Sequence, residues 1–229
     1  MSYNKNYVTV KVRHISIGRT FMDILFYGDS NTYGVNPENG KRYDRDTRFT
    51  GLLQKELKNE HYLIEEGLPG RTTVCSDRFY DGLEGIKLLS PLLLSHNPDK
   101  LILMLGSNDM KKHFNMTPTQ IGKGIEMLIQ KCLNPFCSKL KKDDILIVSP
   151  PLVSNKIKNS TFYDSYGSEA IEKSLKLSEA IFKVCETYGV YFLDGSIVCG
   201  GCDGLHLDAE GHKILFKAIY KMIKEIWTL

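Results

Sequence analysis

The sequence predicts a three-layer α/β/α sandwich built around a flavodoxin-like, five-stranded parallel sheet. Short hydrophobic runs alternate with amphipathic helical stretches through most of the 229 residues, the order expected of successive βαβ units. Several of these runs are apolar at every position, as strands covered on both faces must be. The length also suits one large domain better than two small ones.

The elements follow in chain order. Residues 1–22 carry Lys5, Lys11, Arg13 and Arg19 without an acidic residue, and they alternate at Val8, Val10 and Val12 as a strand with one solvated face does. They are expected to form an appendage or edge strand ahead of a domain spanning 23–229. Strands are expected over 24–27, 62–65, 101–105, 145–149 and 190–193. Helices are expected from about 49 to 59, 83 to 95 and 168 to 188. Thr117-Pro118-Thr119-Gln120 reads as a helix start, with an N-cap threonine, a proline at the first helical position and a capping-box glutamine. Ile121, Ile125, Leu128, Ile129 and Cys132 then fall on one face. A final helix from about Asp208 places Ile214, Leu215, Ala218, Ile219, Met222, Ile223 and Ile226 in one stripe opposite its lysines.

Composition narrows the function. Thirty basic and twenty-seven acidic residues leave a net charge of +3, too even a balance for the electropositive face that nucleic acid requires. No apolar run is long enough to span a bilayer and no leader pattern opens the chain, so a cytoplasmic protein without membrane insertion is expected. Six scattered cysteines read as reduced thiols and not as a disulfide framework.

Four polar motifs each follow a hydrophobic strand: Gly28-Asp29-Ser30, Gly67-Leu68-Pro69-Gly70, Gly106-Ser107-Asn108-Asp109 and Asp203-Gly204-Leu205-His206. A parallel sheet gathers such turns at the carboxyl ends of its strands, where open α/β folds bind their ligands. Ser30, at a strand-to-helix turn, can serve there as a nucleophile or simply as an N-cap. A serine hydroxyl needs a base, and the spacing of Asp203 and His206 lets the carboxylate orient an imidazole toward it. The same two residues also suit an ordinary turn before a helix. Gly70, through its backbone amide, Asn108, through its side-chain amide, and the Ser30 amide are candidate donors to a developing oxyanion.

These blocks resemble the signature blocks of the SGNH, or GDSL-type, hydrolases, in order and spacing, from residue 24 to about 226. Glu65 to Thr73 and Met104 to Asp109 look most like the arylesterase and acyltransferase branch. The resemblance implies a serine esterase of small carboxylic esters, with Ser30, Asp203 and His206 as catalytic triad and Ser30, Gly70 and Asn108 as oxyanion hole. It implies neither cofactor nor metal, and by analogy with that branch a homo-oligomer. The substrate pocket is expected to involve Asp29, Asn31, Tyr33, Ser107, Val153 and Leu205, with the polar loop from Val153 to Ser168 as a roof or a mere connection. Asn31 stands where the family usually has leucine, and Tyr33 and Val35 where the branch tends to carry tryptophan. These departures favour hydrolysis over acyl transfer, which needs a dry pocket.

Other readings are compatible with parts of the pattern. A carbohydrate de-O-acetylase or a lysophospholipase would use the same centre with a different pocket. A flavodoxin-like phosphate- or nucleotide-binding module would use the Gly28 to Ser30 turn, although no glycine-rich phosphate loop of recognised spacing is present. Cys199-Gly200-Gly201-Cys202 could be a redox pair or half of a zinc site, but no second pair completes a tetrahedral set. Asp29 and Asp109 lack the companions a metal site would need.

Overall fold

A computed structural model describes residues 21–58 and 60–227. The appendage expected over residues 1–22 falls on residues 1–20, which lie outside the described residues, and on Phe21 and Met22. Met22 belongs to the first strand.

The elements run β1 (Met22–Gly28), α1 (Ser30–Tyr33), α2 (Phe49–Leu57), β2 (His61–Gly67), α3 (Gly85–His96), β3 (Lys100–Met104), α4 (Pro118–Cys132), β4 (Ile145–Val148), α5 (Tyr163–Tyr166), α6 (Glu169–Tyr188), β5 (Tyr191–Leu193) and α7 (Ala209–Trp227). Short 3-10 turns at Asn108–Met110 and Asn155–Asn159 matter for the site. All strand pairs are parallel, in the order β2-β1-β3-β4-β5. This is the flavodoxin-like sheet expected from the sequence.

The continuous apolar runs are explained by cover on both faces. Leu25, Tyr27, Leu101, Leu103, Ile145 and Ile147 point into one core with residues of α3, α4 and α6. Their neighbours Ile24, Phe26, Ile102, Met104, Leu146 and Val148 point into a second core with residues of α2 and α7. Successive strand side chains face opposite ways, so a strand between two helical layers has no position left for a polar residue. The stripe on α4 is buried as its spacing predicts, and the helix opens with a complete capping box: Gln120 N–H donates to Thr117 Oγ1 (3.2 Å) and Thr117 N–H to Gln120 Oε1 (2.8 Å).

The chain leaves β1 toward β2 on one side and passes from β2 over β1 to β3 on the other. The carboxyl ends of β1 and β3, paired through Gly28 and Met104, therefore flank the point where strand order reverses, and a crevice opens there. Among the described residues no helix is long and apolar enough to cross a membrane.

Candidate active site

Each polar motif sits at the carboxyl edge of the sheet. β1 ends at Gly28, whose alanine Cβ would stand 2.0 Å from Thr32 Oγ1 and 2.9 Å from the Met104 carbonyl oxygen. Only glycine lets α1 turn back this tightly against β3. Asp29 caps α1 by accepting the Asn31 N–H at 3.0 Å, which makes Ser30 the first helical residue. Its backbone N–H has no intrahelical acceptor. Burial raises the pKa of Asp29, against the opposing bonds from Asn31 and Ser107 and the charges of His206 and Arg71.

The Ser30 hydroxyl lies 3.0 Å from His206 Nε2, across 176 residues of sequence. On the other side of the ring, Nδ1 is 2.6 Å from Asp203 Oδ2. Asp203 Oδ1 accepts the N–H groups of Leu205 and His206, each at 2.9 Å. Burial pushes the Asp203 carboxyl up, but the ring bond, the His206 charge and these backbone donors outweigh it and hold its pKa below the ordinary value. An ionised carboxylate can only accept. Nδ1 must then carry the proton, which leaves Nε2 as acceptor for the serine hydroxyl.

Asn31 links the two ends of this arrangement. Its Nδ2 donates to the Leu205 carbonyl at 3.3 Å and its Oδ1 accepts the Leu207 N–H at 2.9 Å. The residue after the nucleophile candidate thus grips the strand of chain that carries His206, a task leucine could not perform. The ring of Phe162 meets that of His206 edge-on, with centroids 5.2 Å apart.

Gly70 has a left-handed backbone, φ +85°, and no acceptor for its N–H among the described residues. Asn108 is held from both ends: Nδ2 donates to the Arg71 carbonyl at 3.1 Å, and the Tyr166 hydroxyl donates to Oδ1 at 2.9 Å. The Arg71 guanidinium is buried and lies over the Tyr27 ring, 4.0 Å from its centroid. It donates to the carbonyl oxygens of Gly28, at 2.9 Å, and of Glu66, so one side chain ties the ends of β1 and β2 together. Asp109 accepts the Thr73 N–H and hydroxyl, and its burial raises its pKa to about 6.

Ser30, Gly70, Asn108, Leu205 and His206 line one cavity of about 380 Å³, with Val35, Leu83, Phe162, Tyr166 and Tyr80 among its apolar walls. Lys111 at its edge is paired with Asp77 at 3.1 Å. Asp203 stands behind His206.

Of the further residues expected in the pocket, Leu205 lines it, whereas Asp29, Asn31, Tyr33, Ser107 and Val153 do not. Asp29, Asn31 and Ser107 are buried beneath it. Tyr33 faces the Arg42 guanidinium, 4.4 Å from its ring centroid. Val153 corrects the expectation most clearly, because it packs into the core and its N–H binds Ser174 Oγ. The loop after it does form part of the wall, through Phe162, Ser165 and Tyr166. Phe162, Tyr166 and Arg71 had no assigned role in the sequence reading, since aromatic residues in a polar loop and an arginine after a glycine carry no chemical signature of their own.

Cys199 and Cys202 are exposed free thiols. Among the described residues, no group of three or more His, Cys, Asp or Glu side chains is placed to hold a metal ion.

Comparison with known proteins gives a consistent picture. Residues 26–214 match the model of the GDSL-like lipase/acylhydrolase family. A carbohydrate acetylesterase family member from Sinorhizobium meliloti is 31% identical, with a TM-score of 0.81 over 91% of this chain and 100% of that one. The M. smegmatis aryl esterase is 29% identical, with a TM-score of 0.82 over 90% and 99%. Est24, a carbohydrate acetylesterase from Sinorhizobium meliloti, is 30% identical, with a TM-score of 0.82 over 90% and 99%. No curated protein sequence matches the chain.

Proposed function

The chain belongs to the GDSL-like lipase/acylhydrolase family and is a carboxylic ester hydrolase, and from that premise we propose that it cleaves small esters through an acyl-enzyme formed on Ser30. The observation that carries the reading is the unbroken hydrogen-bonded series from Ser30 through His206 to Asp203 at the wall of a cavity.

Ser30 Oγ attacks the ester carbonyl carbon as His206 Nε2 takes its proton. Asp203 holds the ring in the accepting tautomer and stabilises the imidazolium. The negative oxygen that forms is met by the N–H groups of Ser30 and Gly70 and by Asn108 Nδ2. The bond to the alcohol oxygen then breaks, and His206 protonates the departing alkoxide. Water repeats the sequence on the acyl-enzyme: its proton goes to His206, the acyl bond to Ser30 breaks, the acid leaves and the serine regains its proton. The balance closes with water as the sole co-reactant.

A cavity of about 380 Å³ with apolar walls suits a short acyl group and a modest alcohol. Two acetylesterases of carbohydrates among the similar structures favour a second reading of the alcohol, an acetylated sugar in place of an aryl group. Val35 narrows the wall less than a tryptophan would, leaving room for water and favouring hydrolysis over transfer.

A panel of nitrophenyl acetate, butyrate and octanoate with a peracetylated sugar tests this. The acetyl esters are expected to give the highest kcat/KM, with turnover lost in Ser30→Ala. Unchanged turnover in that variant, or a preference for the octanoate, contradicts the proposal.

A further inference from the structure

We infer that Tyr166 is a positioning residue for ester cleavage, its hydroxyl fixing the Asn108 side-chain amide so that the nitrogen remains a donor to the oxyanion; this rests on the Ser30 reading above.

An asparagine amide has two donors on nitrogen and only acceptors on oxygen, so its value at an oxyanion depends on which end is held where. The Arg71 carbonyl can only accept, and it takes one N–H of Asn108 at 3.1 Å. The Tyr166 hydroxyl satisfies the amide oxygen at 2.9 Å. A flipped amide would set Oδ1 against the Arg71 carbonyl, two acceptors face to face. With the amide held as it is, the second N–H stays unspent, on a residue that shares the cavity wall with Ser30 and Gly70.

Tyr166 is suited to this task by its surroundings. It is 1% exposed, so water cannot replace its bond to Asn108. Burial, reinforced by the charges of Asp29, Asp109 and Asp203, raises its pKa well above the ordinary value, and the hydroxyl keeps its proton throughout the working pH range. It closes α5, and the same segment places Phe162 against His206, with the Phe162 and Tyr166 rings 6.5 Å apart. One short stretch of chain thus touches both the base and the oxyanion donor. Preorganisation is what gives such donors their effect, because an amide already aimed needs no reorientation as charge develops.

The test compares wild type, Tyr166→Phe, Asn108→Ala and the double variant on nitrophenyl acetate, with thermal melts of each. Asn108→Ala is expected to lose on the order of 10²- to 10³-fold in kcat. Tyr166→Phe is expected to lose about tenfold in kcat with KM changed less than about twofold. The double variant should be no slower than Asn108→Ala alone, since Tyr166 acts only through that amide. Full kcat in Tyr166→Phe, or a loss that multiplies with that of Asn108→Ala, overturns the inference while leaving the Ser30 chemistry standing. Wild-type activity in Asn108→Ala instead removes the oxyanion assignment, and this inference with it. If the phenylalanine variant does not fold, Tyr166→Met takes its place; failure of both to fold assigns Tyr166 to packing alone and also overturns the inference.

Discussion

The chemistry of the site turns on which atom of His206 carries its proton, and Asp203 decides it. The carboxylate accepts two backbone N–H groups on one oxygen and the imidazole on the other, and as an acceptor-only group against Nδ1 it keeps the ring proton on that nitrogen. An asparagine in its place could offer its NH2 to Nδ1 and select the opposite tautomer, turning Nε2 into a donor. Asp203→Asn is therefore expected to lower kcat on the order of 10⁴-fold, the size of the effect in serine proteases, while the protein remains folded. The same substitution has a pH signature. The folded-state pKa of Asp203 lies below the ordinary 3.8, so its contribution to stability is present above that value and disappears as pH falls through the folded-state pKa. The gap in melting temperature between wild type and Asp203→Asn should be widest near neutrality and close on acidification. A gap that widens in acid would contradict the assignment. That Ser30, Asp203 and His206 would meet was legible in the sequence because turns beyond the carboxyl ends of parallel strands share one rim. Tyr166 and Arg71 were not, because a hydroxyl or a backbone carbonyl acquires its role from a partner 58 or 37 residues away.

At the scale of elements, the strands were legible because burial on both faces leaves only apolar residues at the buried positions of β3 and β4. Helix α4 was legible down to its first residue, because capping by Thr117 and Gln120 is a local interaction written in four consecutive letters. Thr117→Ala removes the acceptor for the Gln120 N–H and is expected to cost about 1 kcal/mol of stability with kcat unchanged, since neither Thr117 nor Gln120 lines the cavity that holds Ser30. Chemical denaturation and an ester assay check both halves, and an unchanged midpoint would count against the cap. The 3-10 turn at Asn108–Met110 and helix α5 escaped the sequence reading for a common reason. Pieces of three or four residues have too little periodicity to register, and their conformation follows from what they pack against. Val153 was misplaced by the same lack of local signal: a valine in a polar loop looks available to a pocket until the core beneath it is known.

For the whole molecule, the decisive feature is topology. Strand order β2-β1-β3-β4-β5 brings the turn after β1 and the segment before α7 to one rim, so Ser30 and His206, 176 residues apart in sequence, become neighbours. Alternating strands and helices predicted a flavodoxin-like parallel sheet, and the rule that ligands collect beyond the carboxyl ends of its strands predicted the rim. The central claim is that Ser30 is the nucleophile this topology serves. A serine-directed phosphonate, with the adduct mapped by mass spectrometry after digestion, tests it most directly. One adduct per chain on the peptide bearing Ser30, absent from Ser30→Ala, is the predicted result; modification of a different residue, or equal labelling of the variant, would contradict it.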